Sequence, residues 1–265
     1  MRKLVVSFLV FVSCFLFSCG NNERNTEPEK PKQDTLSKVE APKISQEEAV
    51  IIEPVTDDEV VVLENKGIKL TEIKADNNSN ISIELQAKQF KEGKNQLVYD
   101  VKGITDYQIA TIENNYTLNY FSQNTFEKEF LYGNNVFLSF LTHPNKISVK
   151  TNKANVLKNV VIGDMESLFN MKQSHLFYYL PLENTSEPIL DFYLVNTSIA
   201  KDGNKVKVSI NDAEFLIEKW AAYRIEGLSK NQNTIRIQLL DKNRNLIEGP
   251  FNDSGERIFK LRKVS

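Results

Sequence analysis

Ile81-Ser82-Ile83-Glu84-Leu85-Gln86 alternates apolar and polar residues over its whole length. Successive side chains of a β-strand point to opposite faces of the sheet. This stretch is therefore predicted to be a strand with Ile81, Ile83 and Leu85 toward a core and its polar residues toward water. The same period of two governs most of the chain after Glu59.

Short β-branched or aromatic runs of this kind are separated by clusters of Asn, Gly, Lys and Asp, which is typical of strands and turns. No helical stripe of useful length interrupts them. Strands are predicted at 60–63, 67–73, 81–86, 96–101, 107–112, 116–121, 125–130, 136–141, 175–180, 189–197, 205–210, 214–220, 223–228, 234–240 and 257–264. Many short strands at this spacing favour β-sandwiches.

The predicted fold class is all-β, with two immunoglobulin-like β-sandwich domains at residues 58–165 and 166–265. A mixed segment after Gly163-Asp164, from Met165 to Lys172, marks the predicted join between them. The alternative architecture is one elongated assembly of sheets in which the first half has no independent stability.

The N-terminus has the features of a secretory signal peptide. Arg2 and Lys3 precede an apolar run from Leu4 to Phe17, and small residues around Cys19 close the run. The competing interpretations are ordinary cleavage with a soluble product and a transmembrane helix, but the run is shorter than the ~20 residues that span a bilayer. We predict residues 1–18 to be a cleaved signal peptide.

Leu16-Phe17-Ser18-Cys19 resembles a bacterial lipobox. In a lipobox the thiol takes a diacylglycerol, the signal peptide is cut before the cysteine, and the new amino group is acylated. The resemblance implies that Cys19 is lipidated and begins the mature chain. Several acyl chains anchor a protein stably, whereas one is marginal. The expected location is the bacterial cell envelope, anchored in the outer membrane, with the periplasmic and surface faces both open.

Residues 19–57 are predicted to form a disordered tether between the lipid and the domains. The segment is rich in Asn, Glu, Lys, Pro and Ser and has no aromatic residue. Such a composition cannot bury enough apolar surface to offset the entropy of ordering. Within it, Asp34-Thr35-Leu36 resembles the Asp-Thr-aliphatic signal for O-glycosylation in some bacterial envelope proteins, which implies a glycan on Thr35.

Charge and cysteine content narrow the classes of function. The net charge is −2, and −4 once the positive charges of Arg2 and Lys3 leave with the signal peptide, which argues against a nucleic-acid partner. Cys14 also leaves, so the mature chain keeps no cysteine besides Cys19. Its domains are therefore held by packing rather than by disulfides.

Catalytic and metal-binding motifs are missing from the sequence. Its two histidines, His143 and His175, fall on different predicted domains, and HExxH, GxSxG, P-loop and CxxC spacings do not occur. His175 alternates with Phe177 and Tyr179, so we interpret it as a partly buried histidine with its hydrogen bonds satisfied. We predict no catalytic residue, no metal and no cofactor.

Two single residues have competing interpretations. Trp220, the only tryptophan, is either an exposed platform for a sugar or peptide or, as we prefer, a core side chain of a sandwich. Asp191 opens the apolar run Leu-Asp-Phe-Tyr-Leu. We interpret it as a solvent-facing or turn-bonding carboxylate rather than as an ion site.

Arginine is concentrated near the C-terminus. Five of the seven arginines follow residue 221, and this segment carries nine Lys or Arg against five Asp or Glu. The fork of a guanidinium suits phosphate or carboxylate better than the ammonium of lysine does. We predict a candidate anion site at Arg236, Lys260 and Arg262, with Arg224 as a further candidate. The alternative is a solvated sheet face or an interdomain contact.

Five short motifs follow one another in the second half of the chain: Leu190 to Thr197, Asp202-Gly203-Asn204-Lys205-Val206, Glu214-Phe215 with Trp220, Ile225-Glu226-Gly227-Leu228 and Gly249-Pro250-Phe251-Asn252. With them the second half resembles the bacterial envelope lipoproteins commonly called phosphopeptide-binding proteins. In the first half, Phe140 to His143 followed by Ser148-Val149-Lys150 is similar to the end of that family's first domain. A paired-histidine motif of the family is replaced here by Tyr107 to Thr111. The resemblance implies a binding role.

The expected function is a non-catalytic binding or adaptor role in the envelope, toward an anionic peptide, a phosphopeptide or a glycan. The expected partners are the membrane, through the lipid anchor, and an envelope protein, peptide or glycan, with no nucleic acid. The alternatives are a hydrolase that uses carboxylates on loops and a purely structural envelope component.

Overall fold

The computed structural model describes residues 60–86, 89–182 and 185–262. The predicted signal peptide, the tether, Cys19 and Thr35 lie outside these ranges. The predicted fold class is confirmed, because nearly all regular structure in the described chain is antiparallel β-strand, with one short helix, α1, at Ile199–Asp202. None of the helices in these ranges is long and apolar enough to cross a membrane.

Sixteen strands are formed within the described ranges. They are β1 (Val62–Asn65), β2 (Ile68–Ile73), β3 (Ser82–Leu85), β4 (Gly93–Lys102), β5 (Gln108–Glu113), β6 (Thr117–Phe121), β7 (Thr125–Phe130), β8 (Gly133–Thr142), β9 (Asn155–Ile162), β10 (His175–Tyr179), β11 (Ile189–Val195), β12 (Lys205–Ile210), β13 (Ala213–Ile217), β14 (Ala222–Glu226), β15 (Gln232–Leu240) and β16 (Arg257–Lys260).

These strands make four sheets that stack face to face. Sheet I has the order β3-β4-β7, sheet II β6-β5-β8-β9, sheet III β1-β2-β14-β11-β10 and sheet IV β13-β12-β15-β16. Every strand pair is antiparallel. The stack buries three separate apolar layers, one between each pair of facing sheets.

The first and last layers are the cores of two sandwiches. Sheets I and II enclose the first core, which includes Leu97, Phe130 and Phe137. Sheets III and IV enclose the last core, which includes Leu70 and Phe192. In both sandwiches the buried side chains come from alternate positions of each strand, as the period of two predicts.

A middle core joins the two sandwiches. Ala110 of β5 and Phe140 of β8 face Phe177 of β10 and Tyr193 of β11 in this layer. Sheets II and III are therefore covered on both faces, and β8, β10 and β11 are buried along most of their length. A strand covered on both faces has a continuous apolar sequence, which explains the run Val-Phe-Leu-Ser-Phe-Leu at 136–141.

The predicted grouping of strands needs one correction. The sequence places 62–73 in the first sandwich, whereas β2 pairs with β14 in sheet III and β1 extends that sheet at its edge. The alternation of β2 identifies its buried face, but it does not identify the strand with which β2 pairs. The strand β9 was not predicted, because the polar pair Lys158-Asn159 interrupts its apolar pattern.

The C-terminal segment 166–265 alone is expected to show no cooperative unfolding transition. It would lack β1 and β2, and the face that carries Phe177, Tyr179 and Tyr193 would be exposed to water. Urea titration followed by Trp220 fluorescence, with the segment 60–265 as the control, measures this. A sharp transition of the short segment comparable to that of the control would contradict the shared middle core.

Candidate functional site

The open edge of the first sandwich forms a cleft of about 310 Å³, which we call the edge cleft. It lies where β6, an edge strand of sheet II, faces β7, an edge strand of sheet I. The two strands are connected by a turn at 122–124, so both edges end at the same side of the sandwich. The cleft is lined by Thr111, Glu113, Asn119, Phe121, Phe126, Glu127, Lys128 and Glu129.

Two phenylalanines form an aromatic wall of the edge cleft. The rings of Phe121 and Phe126 are parallel within 2°, with centroids 3.6 Å apart, and both side chains are half-buried. Phe126 also stacks on buried Tyr99, whose hydroxyl is 2.6 Å from the hydroxyl of Ser139. The contact with Tyr99 therefore holds the two phenylalanine rings in their orientation without a ligand.

A buried ion pair lies in the same cleft. Nζ of Lys128 is 2.5 Å from a carboxylate oxygen of Glu113, and the Lys128 side chain is only 7% exposed. The ammonium also lies over the rings of Phe130 and Phe137, with 5.3 and 5.4 Å to the centroids. This contact neutralises Lys128 and holds the Glu113 carboxylate at the mouth of the cleft.

The remaining groups of the edge cleft are mainly hydrogen-bond acceptors. Asn119, Glu127 and Glu129 are exposed, so they can bind a ligand without moving buried residues. With Glu113 the cleft has three carboxylates against one ammonium, so an anion would meet repulsion there. The edge cleft is therefore a polar groove with one apolar wall, rather than the mainly apolar pocket that is usual for drug-sized ligands.

Sequence reasoning missed the edge cleft, although one signal for it exists. Phe126, Lys128 and Phe130 alternate on one strand, which puts a lysine on the apolar face of β7. A charge at a core position needs a partner, so the pattern predicts a nearby carboxylate. Only the pairing of β5 with β6 and β8 shows that the carboxylate is Glu113.

Arg236 of the predicted anion site already has a carboxylate partner. Nε donates a hydrogen bond of 2.8 Å to Oδ1 of Asp253, and a terminal nitrogen contacts Oδ2. The hydrogen bond from Arg236 holds the pKa of Asp253 below its usual value. The guanidinium fork is thus filled by the protein itself.

The other three cations are not grouped with Arg236. Arg224 belongs to sheet III, in a shallow cleft of about 290 Å³ beside Glu187 and Glu226. Lys260 pairs with Gln232, four residues from Arg236 along β15, which at ~3.3 Å per residue separates the two by about 13 Å. Arg262 is exposed beyond β16. The separation of Lys260 from Arg236 exceeds the Debye length of ~8 Å.

Arg257 has a structural position that its sequence context did not indicate. Its guanidinium donates to the carbonyl oxygens of Tyr178, at 3.1 Å, and Asn115, at 2.8 Å. Burial lowers the pKa of Arg257. Because β16, β10 and the turn after β5 belong to different sheets, this side chain links sheets IV, III and II.

Asp191 is a buried charge, which corrects the interpretation of it as solvent-facing. Its carboxylate contacts Nζ of Lys150, and the two side chains are 4% and 3% exposed. The backbone N–H of Ser148 donates to Oδ2 at 2.9 Å. Sequence could not show this, because Lys150 lies 41 residues earlier in the chain.

His175 and Trp220 follow the preferred interpretations in part. His175 is buried, with Nε2 2.8 Å from the Asn170 carbonyl oxygen and its ring stacked on Phe169, but its hydrogen bonds are not all satisfied, because Nδ1 has no partner among the described residues. Trp220 is partly buried where the middle and last cores meet, with its ring edge against Tyr193. Across the described ranges no cluster of three or more His, Cys, Asp or Glu side chains has the geometry of a metal site.

Comparison with known proteins assigns no family. No family model and no curated protein matches the chain. Fibronectin(III)-like modules of Clostridium thermocellum CbhA share 6% identity at a TM-score of 0.24, over 69% of this chain and 96% of theirs. Bacteroides ovatus SGBP-B, solved with a mixed-linkage heptasaccharide, shares 9% at 0.22, over 68% and 70%. Similarity at these values says nothing about ligand or activity.

Replacing Arg257 by Lys is expected to lower the free energy of unfolding by about 2 kcal/mol, since hydrogen bonds from a charged group contribute about 1.5–3 kcal/mol and an ammonium cannot reproduce the fork. Urea denaturation measures the change. Arg224→Lys, on an exposed side chain, is the matched control and should change stability by less than about 0.5 kcal/mol. Equal effects of the two substitutions would contradict the linking role of Arg257.

Proposed function

We propose that this chain is a lipid-anchored cell-envelope protein that binds a neutral glycan in the edge cleft and does not transform it. The observation that carries the proposal is the pre-formed wall of Phe121 and Phe126 beside Asn119 and the Glu113 carboxylate. The sequence supports the lipid anchor in this proposal, and the geometry of the edge cleft supports the binding role.

A sugar ring matches both kinds of surface in the edge cleft. The C–H face of a pyranose is apolar and packs on an aromatic ring, while its hydroxyl groups need acceptors and donors at the rim. The Phe wall supplies the first surface. Asn119, which shares a face of β6 with Phe121, and the Glu113 carboxylate supply the second.

The charges of the described residues favour a neutral ligand over a phosphopeptide. In the edge cleft, carboxylates outnumber the single ammonium, which is itself paired with Glu113. In the second half, the Asp253 carboxylate holds the fork of Arg236. A phosphate would have to displace that carboxylate from Arg236. The exposed ion pair that it gained in exchange would contribute no more than ~1 kcal/mol, so the exchange brings little net binding.

The anchor is supported by sequence alone. Cys19 ends an apolar run in a lipobox-like context, and residues 19–57 have the composition of a tether. A tether of that length lets the edge cleft reach a polymer at some distance from the membrane. The outer membrane is the proposed location.

The ligand class is tested by measuring binding to an array of neutral oligosaccharides. Uronic-acid oligosaccharides of matched length are the anionic comparison. We expect binding to neutral members, weakened about tenfold by Asn119→Ala and by Phe121→Leu, which corresponds to about 1.4 kcal/mol each. Asn231→Ala, an exposed asparagine on the second half, is the matched control and should bind like the unchanged protein.

Three results would contradict this proposal. Shortened oligosaccharides after incubation, seen by chromatography, would favour the hydrolase. Tight binding of phosphorylated over unphosphorylated peptides, lost in the Arg236→Ala, Arg262→Ala double variant, would move the site to the second half. If the protein bound neither oligosaccharides nor phosphopeptides, a structural role would be favoured.

Replacing Cys19 by Ala is expected to abolish lipidation. The precursor then either keeps its signal peptide or is released from the membrane, because the thiol that takes the diacylglycerol is gone. Membrane fractionation and the mobility of the chain on gels measure this, with Cys14→Ala as the matched control that should process normally. Unchanged partitioning of the Cys19→Ala variant would rule out the anchor.

A further inference from the structure

A lysine and an aspartate touch each other in the interior between sheets II and III, on residues that do not line the edge cleft. Nζ of Lys150 contacts Oδ1 of Asp191, and both side chains are almost completely buried. Lys150 follows β8 in the first half of the chain, and Asp191 lies on β11 in the second half. An amine and a carboxyl group are the two groups that condense to an amide, and here they are in contact and shielded from water.

We infer that Lys150 and Asp191 become joined by an intramolecular amide bond between Nζ and Cγ, an isopeptide cross-link between the two halves. The Nζ–Cγ bond forms and the bond from Cγ to one carboxylate oxygen breaks. Two of the three ammonium hydrogens leave with that oxygen as water. The charges of the ammonium and the carboxylate cancel, and no atom changes its oxidation state, so the step needs no oxidant, reductant or other co-reactant.

The reaction starts with a proton transfer inside the contact. Lysine is a nucleophile only as the neutral amine, and burial penalises its charged form. Burial lowers the pKa of Lys150, although the Asp191 charge opposes the change. A shift of one proton from Nζ to the Asp191 carboxylate converts two costly buried ions into a neutral amine and a neutral acid.

The two oxygens of Asp191 have different environments. Oδ2 accepts the backbone N–H of Ser148 at 2.9 Å. Oδ1 accepts the Ser148 hydroxyl and the N–H of Phe192, both at 2.9 Å, in addition to the lysine. We assign Oδ2 as the oxygen that stays, because its one partner is a fixed N–H that stabilises negative charge in the tetrahedral intermediate, whereas Oδ1 also contacts the lysine and the Ser148 hydroxyl, which can supply protons to a leaving oxygen. Oδ1 is then the oxygen that leaves as water.

Aromatic rings surround the amine. The centroids of Phe192, Tyr193 and Trp220 lie 5.3, 5.8 and 5.8 Å from Nζ. They restrict the movement of the amine, and groups held this way react as if at about 10⁵ M or more. They also exclude water, which would otherwise hydrolyse the amide back to a carboxyl group and an amine.

Tyr179 is placed to relay a proton to the leaving oxygen: its hydroxyl gives one proton to that oxygen and recovers one from the nitrogen, so both hydrogens of the water still come from the ammonium. It is directly opposite Asp191 in the register of β10 and β11, so the two side chains share a face. Its hydroxyl is buried beside the Ser148 hydroxyl and the Asp191 carboxylate, and it makes no hydrogen bond of good geometry to either among the described residues. Burial, together with the nearby Asp191 charge, raises the pKa of Tyr179 well above its usual value. The hydroxyl therefore keeps its proton until the oxygen departs.

The cross-link is tested by tryptic digestion. The full-length protein is purified from membranes in detergent, denatured and then digested. Trypsin does not cut after an acylated lysine, so the peptide 147–153 should appear attached to 173–201, with a mass one water below their sum. Cleavage after Lys150, with 173–201 at its unmodified mass, would overturn the inference.

Two substitutions localise the bond. Lys150→Arg keeps the positive charge but cannot form the amide, so the linked pair should disappear. Lys128→Arg, at the other buried lysine paired with a carboxylate, is the matched control and should keep it. A linked pair that survives Lys150→Arg would overturn the assignment. If that variant does not fold, the digest of the unchanged protein decides alone.

A third substitution tests the proton donor. Tyr179→Phe should slow linkage at least about tenfold, since a positioned acid contributes this much or more. The linked fraction is measured against time after pulsed synthesis. An unchanged rate would overturn the role of Tyr179.

Discussion

The contact between Lys150 and Asp191 constrains the rest of the structure. Before the two groups are joined, removing one partner of this buried ion pair would cost about 3–5 kcal/mol, so neither charge can enter the interior unless the other is held against it. That requires the segment after β8 to lie on β11, which brings sheet II onto sheet III. Tyr193 strengthens the same junction by donating its hydroxyl proton to the carbonyl oxygens of Val149 and Thr151, at 3.0 and 2.9 Å.

Once sheets II and III are in contact, the middle core follows from the composition of their strands. The strands β8, β10 and β11 carry large apolar side chains on both faces, which no two-layer sandwich could cover. A second sheet on each side removes that surface from water at roughly 25 cal/mol per Å². The outer sheets I and IV then keep one polar face each toward water.

Sequence predicted the fold class and most strands because alternation is a local property. Ile81, Ile83 and Leu85 show it within a single strand. The pairing of β2 with β14 was out of reach, because alternation identifies a buried face and not a partner strand. The edge cleft was missed for the same reason. Lys128 stood out on an apolar face, but its partner Glu113 is set by the order of strands in two sheets.

The position of β1 has a mechanical consequence. The chain enters the described fold at β1, the edge strand of sheet III, whose backbone pairs on one side only, with β2, while a side-chain hydrogen bond from Asn65 reaches the Glu214 carbonyl oxygen of β13. A pull on the N-terminal segment therefore acts first on a short strand at the rim. It separates that strand from β2 without breaking the contacts between sheets II and III. Such a strand can yield under load while the layers behind it keep their shape.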